Sequence, residues 1–265
     1  MSDWLLNLPV LLMALIVFAA TYLVAAIVNF VVTRLAVNER AKAFKALSPG
    51  MLPPLGILFA LLVGFIAVEV WSNFDKAKGA VATEASALRA IVLLAGAFSE
   101  EQRTRIDALV NRHIEEAVQR EWPAMAEQSA NLSTLPGPLI EELHEALAMK
   151  PGDDSQRAAL PEMVKAIHAA LDARRQRIVI SQMDVGAIKW AGILLQGVCT
   201  LIAIAMVHSD NRTASAIALT LFATGMALSV VLIAAYSRPF TGENSIAPDL
   251  LKQVIASGAP PQAGR

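Results

Sequence analysis

The chain has 265 residues, of which 55% are hydrophobic and 17% charged, with a formal net charge of −1; soluble domains run at roughly 45–50% apolar and about 25% charged. A soluble enzyme of this composition would lack the polar surface that keeps it in solution. The near-zero net charge gives no sign of a nucleic-acid partner and argues against a polybasic lipid-binding tail.

The apolar excess is gathered in four stretches nearly free of ionisable side chains: residues 5–32, 51–68, 185–207 (interrupted by Lys189) and 213–236. At 1.5 Å rise per residue each crosses or nearly crosses a hydrocarbon core of about 30 Å. The chain therefore reads as an all-α polytopic membrane protein with transmembrane helices at residues 1–32, 51–71, 186–208 and 212–237. A connecting loop occupies residues 33–50, a helical extramembrane domain residues 72–185, and a post-membrane segment with a flexible tail residues 238–265. The first stretch reads as a retained helix rather than a cleaved signal, because Asp3 and no Lys or Arg precedes an apolar run about twice the usual length. Cys199, within the third stretch, is the single cysteine, so no intramolecular disulfide forms.

Four crossings put both termini and the inserted domain on one side. Arg34, Arg40, Lys42 and Lys45 favour placing the 33–50 loop inside, whereas Lys76, Lys78, Arg174, Arg175, Arg177, Arg238 and Lys252 favour the opposite orientation, so charge alone leaves the two nearly even.

Beyond Trp71 the helical pattern continues, with apolar residues at Phe74, Ala77, Val81, Leu88, Ile91, Ala95 and Phe98. This spacing predicts one rod over residues 55–98, on the order of 65 Å long. A second helix is expected to open at Ser99, which can cap it with Glu100 and Glu101 in the first turn, and to bury Ile106, Leu109, Val110, Ile114, Ala117, Val118 and Trp122. Pro123 bends or ends it. A turn over residues 133–138 leads to a short helix with Leu139, Leu143 and Leu147, on which Glu141, Glu142, His144 and Glu145 read as a solvated face. A last extramembrane helix from about Ser155 carries Leu160, Val164, Ile167, Leu171 and Ile178 and is expected to run on into the third membrane helix. The domain is thus predicted to be built on extensions of the second and third membrane helices.

Gly56, Ala60, Gly64 and Ala67 form a small-xxx-small stripe, which allows close helix packing in lipid. The same helix could instead line a pore, either with Phe59, Val63 and Ile66 or with the opposite face of Leu58, Leu62 and Phe65, and with Glu69 at its end. The first and fourth stretches contain no charge, which weighs against a proton- or ion-coupled transporter. Glu84 and Arg174 interrupt the apolar stripes of the two rods at matching positions, about 13 or 14 residues from the membrane edges, or roughly 20 Å. A Glu84–Arg174 ion pair is expected, with Arg177 as the alternative partner; the plainer possibility is that both point into solvent. No histidine pair has metal-ligand spacing, and no phosphate-binding loop or nucleophile motif is present, so no catalytic residue, metal or cofactor is expected.

The sequence resembles the bestrophin-like family of bacterial four-helix membrane proteins, which is distantly similar to the bestrophin anion channels. The resemblance rests on Val70-Trp71 followed by Ala82-Thr83-Glu84-Ala85 and Leu88, on Arg120-Glu121-Trp122-Pro123 with Met125, on Arg174 and Arg177, and on Arg238-Pro239-Phe240-Thr241-Gly242. It implies a bacterial inner-membrane protein with the helical domain and both termini cytoplasmic, and a homo-oligomer, pentameric by analogy, whose pore is lined by the second helix. The partners implied are the lipid bilayer, copies of the same chain and inorganic ions. The chain departs from bestrophins in the extra residue between Phe240 and Gly242 and in keeping only Glu243 and Asp249 of their acidic run, which argues against calcium gating. Lys76 and Lys78 at the pore mouth would favour anions, whereas a ring of Glu69 or Glu84 would favour cations. A non-conducting membrane-anchored sensor or scaffold that binds a partner is the competing reading.

Overall fold

The structure, a computed structural model, describes residues 3–36, 44 and 49–258. Arg40, Lys42 and Lys45 of the expected loop, and the end of the expected tail, lie outside the described residues. Four helices are long and apolar enough to cross a membrane: α1 (Val10–Leu35), α2 (Leu52–Ala95), α6 (Ala187–Val207) and α7 (Arg212–Tyr236). Between α2 and α6 come α3 (Glu100–Glu116), α4 (Gly137–Ala148) and α5 (Asp154–Ser181), and the chain closes with α8 (Asp249–Gly258). The chain divides into two compact units, one of residues 1–72, 184–238 and 242–244, the other of residues 73–183, 239–241 and 245–265.

The first unit is the apolar one. In it α1, α6 and α7 pack on one another around Met13, Val17, Ile193, Leu201, Leu219, Ala223 and Val230. With lipid outside as apolar as the interior, close packing and interhelical hydrogen bonds hold such helices together. Gly197 of α6 lies under Met226 of α7, so close that a Cβ there would come within 2.4 Å of the methionine Cε. Tyr22 Oη and Thr224 Oγ1 are 2.9 Å apart, and the Ser215 hydroxyl donates to Asn29 Oδ1 at 3.0 Å. Asn211 caps α7 by accepting from the Ala214 N–H at 3.0 Å.

The second unit encloses a core of Val81, Leu88 and Ile91 from α2, Ile106, Val110 and Ile114 from α3, Leu139 from α4, and Met163 and Ile167 from α5. The α2 stripe is the one its periodicity predicts. Ser99 starts α3 through a reciprocal capping box with Gln102: its hydroxyl accepts from the Gln102 N–H at 3.3 Å, and its own N–H donates to Gln102 Oε1 at 3.2 Å.

Two expectations are corrected. The rod from α5 does not run into the third membrane helix: α5 ends at Ser181, α6 begins at Ala187, and Gly186 precedes α6 in an extended conformation. Gln182 turns its side-chain amide to the Ala130 carbonyl. Among the described residues only α2, with its 44 residues, is a continuous extension of a membrane helix into the inserted domain. On α5 the predicted Ile167 and Ile178 are buried, but the predicted Leu160, Val164 and Leu171 are only half-buried, and Ala159, Met163, Ala170, Arg174, Arg177 and Ser181 share the buried face.

Candidate functional site

In the first unit the membrane part of α2 divides into a bound face and an open one. The bound face is Phe59, Ile66 and Val70, buried, with Leu62, Val63 and Ala67 half-buried beside them. Phe59 lies against Phe222 of α7 with ring centroids 5.3 Å apart. The Leu55 carbonyl accepts from Gln196 Nε2 at 3.3 Å, and Glu69 receives Lys189 Nζ at 2.5 and 2.7 Å, so α6 holds α2 at both ends of this stretch. The open face is Ile57, Leu58, Leu61, Phe65 and Val68, with Phe65 72% exposed and Phe59 only 7%. Of the two faces considered for a pore, the one with Phe59, Val63 and Ile66 is therefore committed to the chain's own bundle. Ala60 and Gly64 are exposed, and a Cβ added at Gly56 or Gly64 would meet nothing within 4 Å, so among the described residues only Ala67 of the small-residue stripe packs within the chain.

In the second unit four charged side chains and a histidine meet inside the helical domain. Helix α3 is prolonged by a π turn, Ala117–Glu121, and a short helix, Trp122–Ala126. The extra residue in that turn shifts the helical phase so that Glu121 and Trp122 both reach α5. Arg177 grips Glu84 with two parallel bonds, Nε to Oε2 at 2.8 Å and Nη2 to Oε1 at 3.0 Å, and both side chains are 0% exposed. Its Nη2 also donates to Glu121 Oε2 at 2.8 Å, and its guanidinium lies 4.5 Å over the Trp122 ring. Arg174 donates from Nε to Glu121 Oε1 at 2.7 Å and from Nη2 to the Thr134 carbonyl at 3.0 Å. His113 Nε2 stands 3.0 Å from Glu84 Oε1; an ionised carboxylate only accepts, which assigns the proton to Nε2.

The electrostatics follow from this packing. Burial by itself raises the Glu84 carboxyl, but the Arg177 charge and the hydrogen bonds from His113 and Arg177 outweigh it and bring the pKa to about 2. Burial likewise works against the charge on Arg177, and Glu84 and Glu121 overcome it, holding the guanidinium above its ordinary value. The expected Glu84–Arg174 pair is corrected: Glu84 takes Arg177, the alternative partner, and Arg174 takes Glu121. Glu84 is likewise no pore-mouth charge, since it is wholly enclosed.

Glu121 and His113 were missing from the sequence-derived set. His113 lies on the predicted buried stripe of α3, between Val110 and Ala117, and that position was its signal; Glu121 stood in the Arg120-Glu121-Trp122-Pro123 motif of the resemblance, but the π turn that aims it leaves no local pattern that would pair it with an arginine.

The post-membrane residues are also placed. Phe240 meets Trp122 edge-on with centroids 5.8 Å apart, the Trp122 Nε1–H donates to the Ile246 carbonyl at 2.9 Å, and the Pro239 carbonyl accepts from the Ile246 N–H at 2.8 Å. Gly242 has φ +81, where an L side chain is strained, and a Cβ would lie 3.2 Å from the Leu6 carbonyl oxygen. Glu243 Oε2 accepts from the Val10 N–H at 3.1 Å, at the start of α1. Lys76 and Lys78 are exposed, Lys78 lying 4.8 Å over the Phe74 ring. Among the described residues no group of His, Cys, Asp and Glu is arranged to hold a metal ion.

Comparison with solved structures places this fold beside a point variant of a bacterial bestrophin homologue from Klebsiella pneumoniae, with a TM-score of 0.71, 12% identity, and coverage of 92% of this chain and 98% of that one. A second variant of the Klebsiella pneumoniae homologue gives a TM-score of 0.61 at 14% identity, covering 94% of this chain and 96% of that one. A variant described only as a membrane protein gives 0.68 at 12% identity, covering 92% and 97%. No curated protein matches the chain. A family model for the bestrophin-like domain matches residues 19–251, nearly the whole of both units, and the chain therefore belongs to the bestrophin-like family of membrane proteins.

Proposed function

We propose that this protein is the subunit of a homo-oligomeric ion channel in which the open face of α2, Ile57, Leu58, Leu61, Phe65 and Val68, lines a hydrophobic constriction. The observation that carries the reading is the division of α2 into two faces: one anchored to α6 and α7, the other apolar and without a partner among the described residues. A helix that lines a central pore needs such an anchored back and an open front. Ala60 and Gly64 are exposed, and among the described residues nothing lies within 4 Å of a Cβ added at Gly64, which suits contact with a neighbouring copy.

Anion conduction is favoured. Of the acidic candidates, Glu69 is matched by Lys189 and Glu84 is enclosed with Arg177, whereas Lys76 and Lys78 are exposed and outnumber the nearby exposed Asp75. The resemblance to bestrophins drawn from the sequence points the same way, and also to a bacterial inner membrane with the helical domain cytoplasmic.

Purified protein of known stoichiometry, reconstituted into liposomes or planar bilayers, tests this. Chloride current is expected, with a reversal potential in asymmetric chloride salts set by chloride, and Phe65→Ala is expected to change conductance while Phe59→Ala acts through stability. Oligomeric protein that passes neither chloride nor potassium nor sodium would overturn the channel reading and leave a scaffold or sensor.

A further inference from the structure

Helix α4 packs on α3 through an acidic face. Glu141 pairs with Arg112, and Glu145 with Arg105 at 2.5 Å, both toward the edge of the contact. Glu142 turns inward instead: it is 1% exposed, beside Leu139 and Ala146, and neither carboxylate oxygen has a hydrogen-bond partner. It does not belong to the solvated face expected from its sequence. The charges that act on it are both acidic, Glu145 on its own helix and Asp107 on α3. Around these, Arg103 approaches Asp107 at 3.8 Å and Arg105 is engaged by Glu145, so neither arginine is bound to Glu142. Helix α5, which also packs against α4, contributes Ala159, Met163 and Ile167 to the same core. An ionised carboxylate without a donor or counter-charge is costly to bury, and two acidic neighbours add to that cost.

We propose that α4 is a pH-sensitive flap of the helical domain, docked on α3 while Glu142 carries a proton and released when Glu142 ionises. Burial first, then Glu145 and Asp107, raise its pKa from 4.5 to about 8, in line with this geometry. The sign follows from a folded value above the unfolded one: the docking contribution is complete below about 4.5 and is lost as pH rises through about 8. With 12 residues, α4 is at the length where an isolated helix is marginal in water, so release from α3 also unwinds it. The flap is a property of the helical domain whether or not the chain conducts.

Hydrogen–deuterium exchange on the full-length protein in detergent micelles, followed by mass spectrometry from pH 6.5 to 9.5 with rates normalised to intrinsic exchange, tests the proposal. Protection of peptides covering α4 is expected to fall about tenfold per pH unit from pH 6.5 and to level off above about 8, while α3 and α5 keep theirs. Glu142→Gln and Glu142→Met, which carry no titrating group, should each flatten the α4 profile. Glu145→Gln removes a like charge and should bring that levelling-off to lower pH. A flat wild-type profile up to pH 9.5, or the same fall in a folded Glu142 variant, would overturn the flap. Should both Glu142 variants fail to fold, the wild-type profile and the direction of the Glu145→Gln shift decide it.

Discussion

Glu84 places a carboxylate where no water reaches it, and the groups around it make this tolerable: two bonds from Arg177, one from His113, and an Arg177 itself shared with Glu121 and laid over Trp122. Removing one partner strands the other. Glu84→Ala is expected to destabilise the helical domain by about 3–5 kcal/mol, read as a fall in the thermal unfolding temperature of the detergent-solubilised protein. Joint replacement by Glu84→Leu and Arg177→Met should cost less than the two single changes together, because no buried charge is left over; strict additivity would show that the pair is not coupled. The pH dependence has a definite sign. The Glu84 carboxyl is lowered from 4.5 to about 2, so its contribution is complete above about 4.5 and is lost as pH falls toward 2. Unfolding temperatures should therefore drop across that acid window, and Glu84→Gln should flatten the drop, the opposite direction from the alkaline response expected at Glu142.

At the scale of elements, α2 carries most of the functional argument because one helix serves two environments. Its first part packs one face on α6 and α7 and leaves the other open; its second part supplies a core stripe that includes Glu84. The two faces make a paired test. Phe59→Ala opens a cavity against Phe222 and is expected to cost about 3 kcal/mol, the lower end for buried aromatics because lipid reduces the transfer gain. Phe65→Ala should leave the unfolding temperature nearly unchanged and alter conductance. Loss of stability from Phe65→Ala in the monomeric state would mean that its face is occupied within the chain. Capping offers a simpler check: Ser99→Ala breaks the capping box that opens α3 and is expected to cost about 1 kcal/mol of domain stability, seen as faster hydrogen exchange in the first turn of α3. The break between α5 and α6 escaped the sequence reading because Gln182 and Asp184 are compatible with a helix; the stop at Ser181 goes with a contact from Gln182 to the distant Ala130 carbonyl.

At the scale of the whole molecule, the sequence by itself determined four membrane helices, an all-helical insert, the stripe of α2 and the cap of α3. These depend on hydropathy summed over about twenty residues and on periodicity within one helix, both local quantities. The tertiary structure decided which partner each face meets. Arg174 and Arg177 lie three residues apart on one side of α5, separated by less than one helical turn, so no pattern along the chain could choose between them for Glu84. The choice came from the π turn that brings Glu121 within reach of both arginines and completes Arg174 elsewhere. For α2, both faces are equally apolar in sequence, and only the packing of α6 and α7 shows which remains open. For α4, a run of acidic residues looks uniformly solvated until α3 covers one of them, because burial belongs to the surface that arrives and not to the residue that is covered.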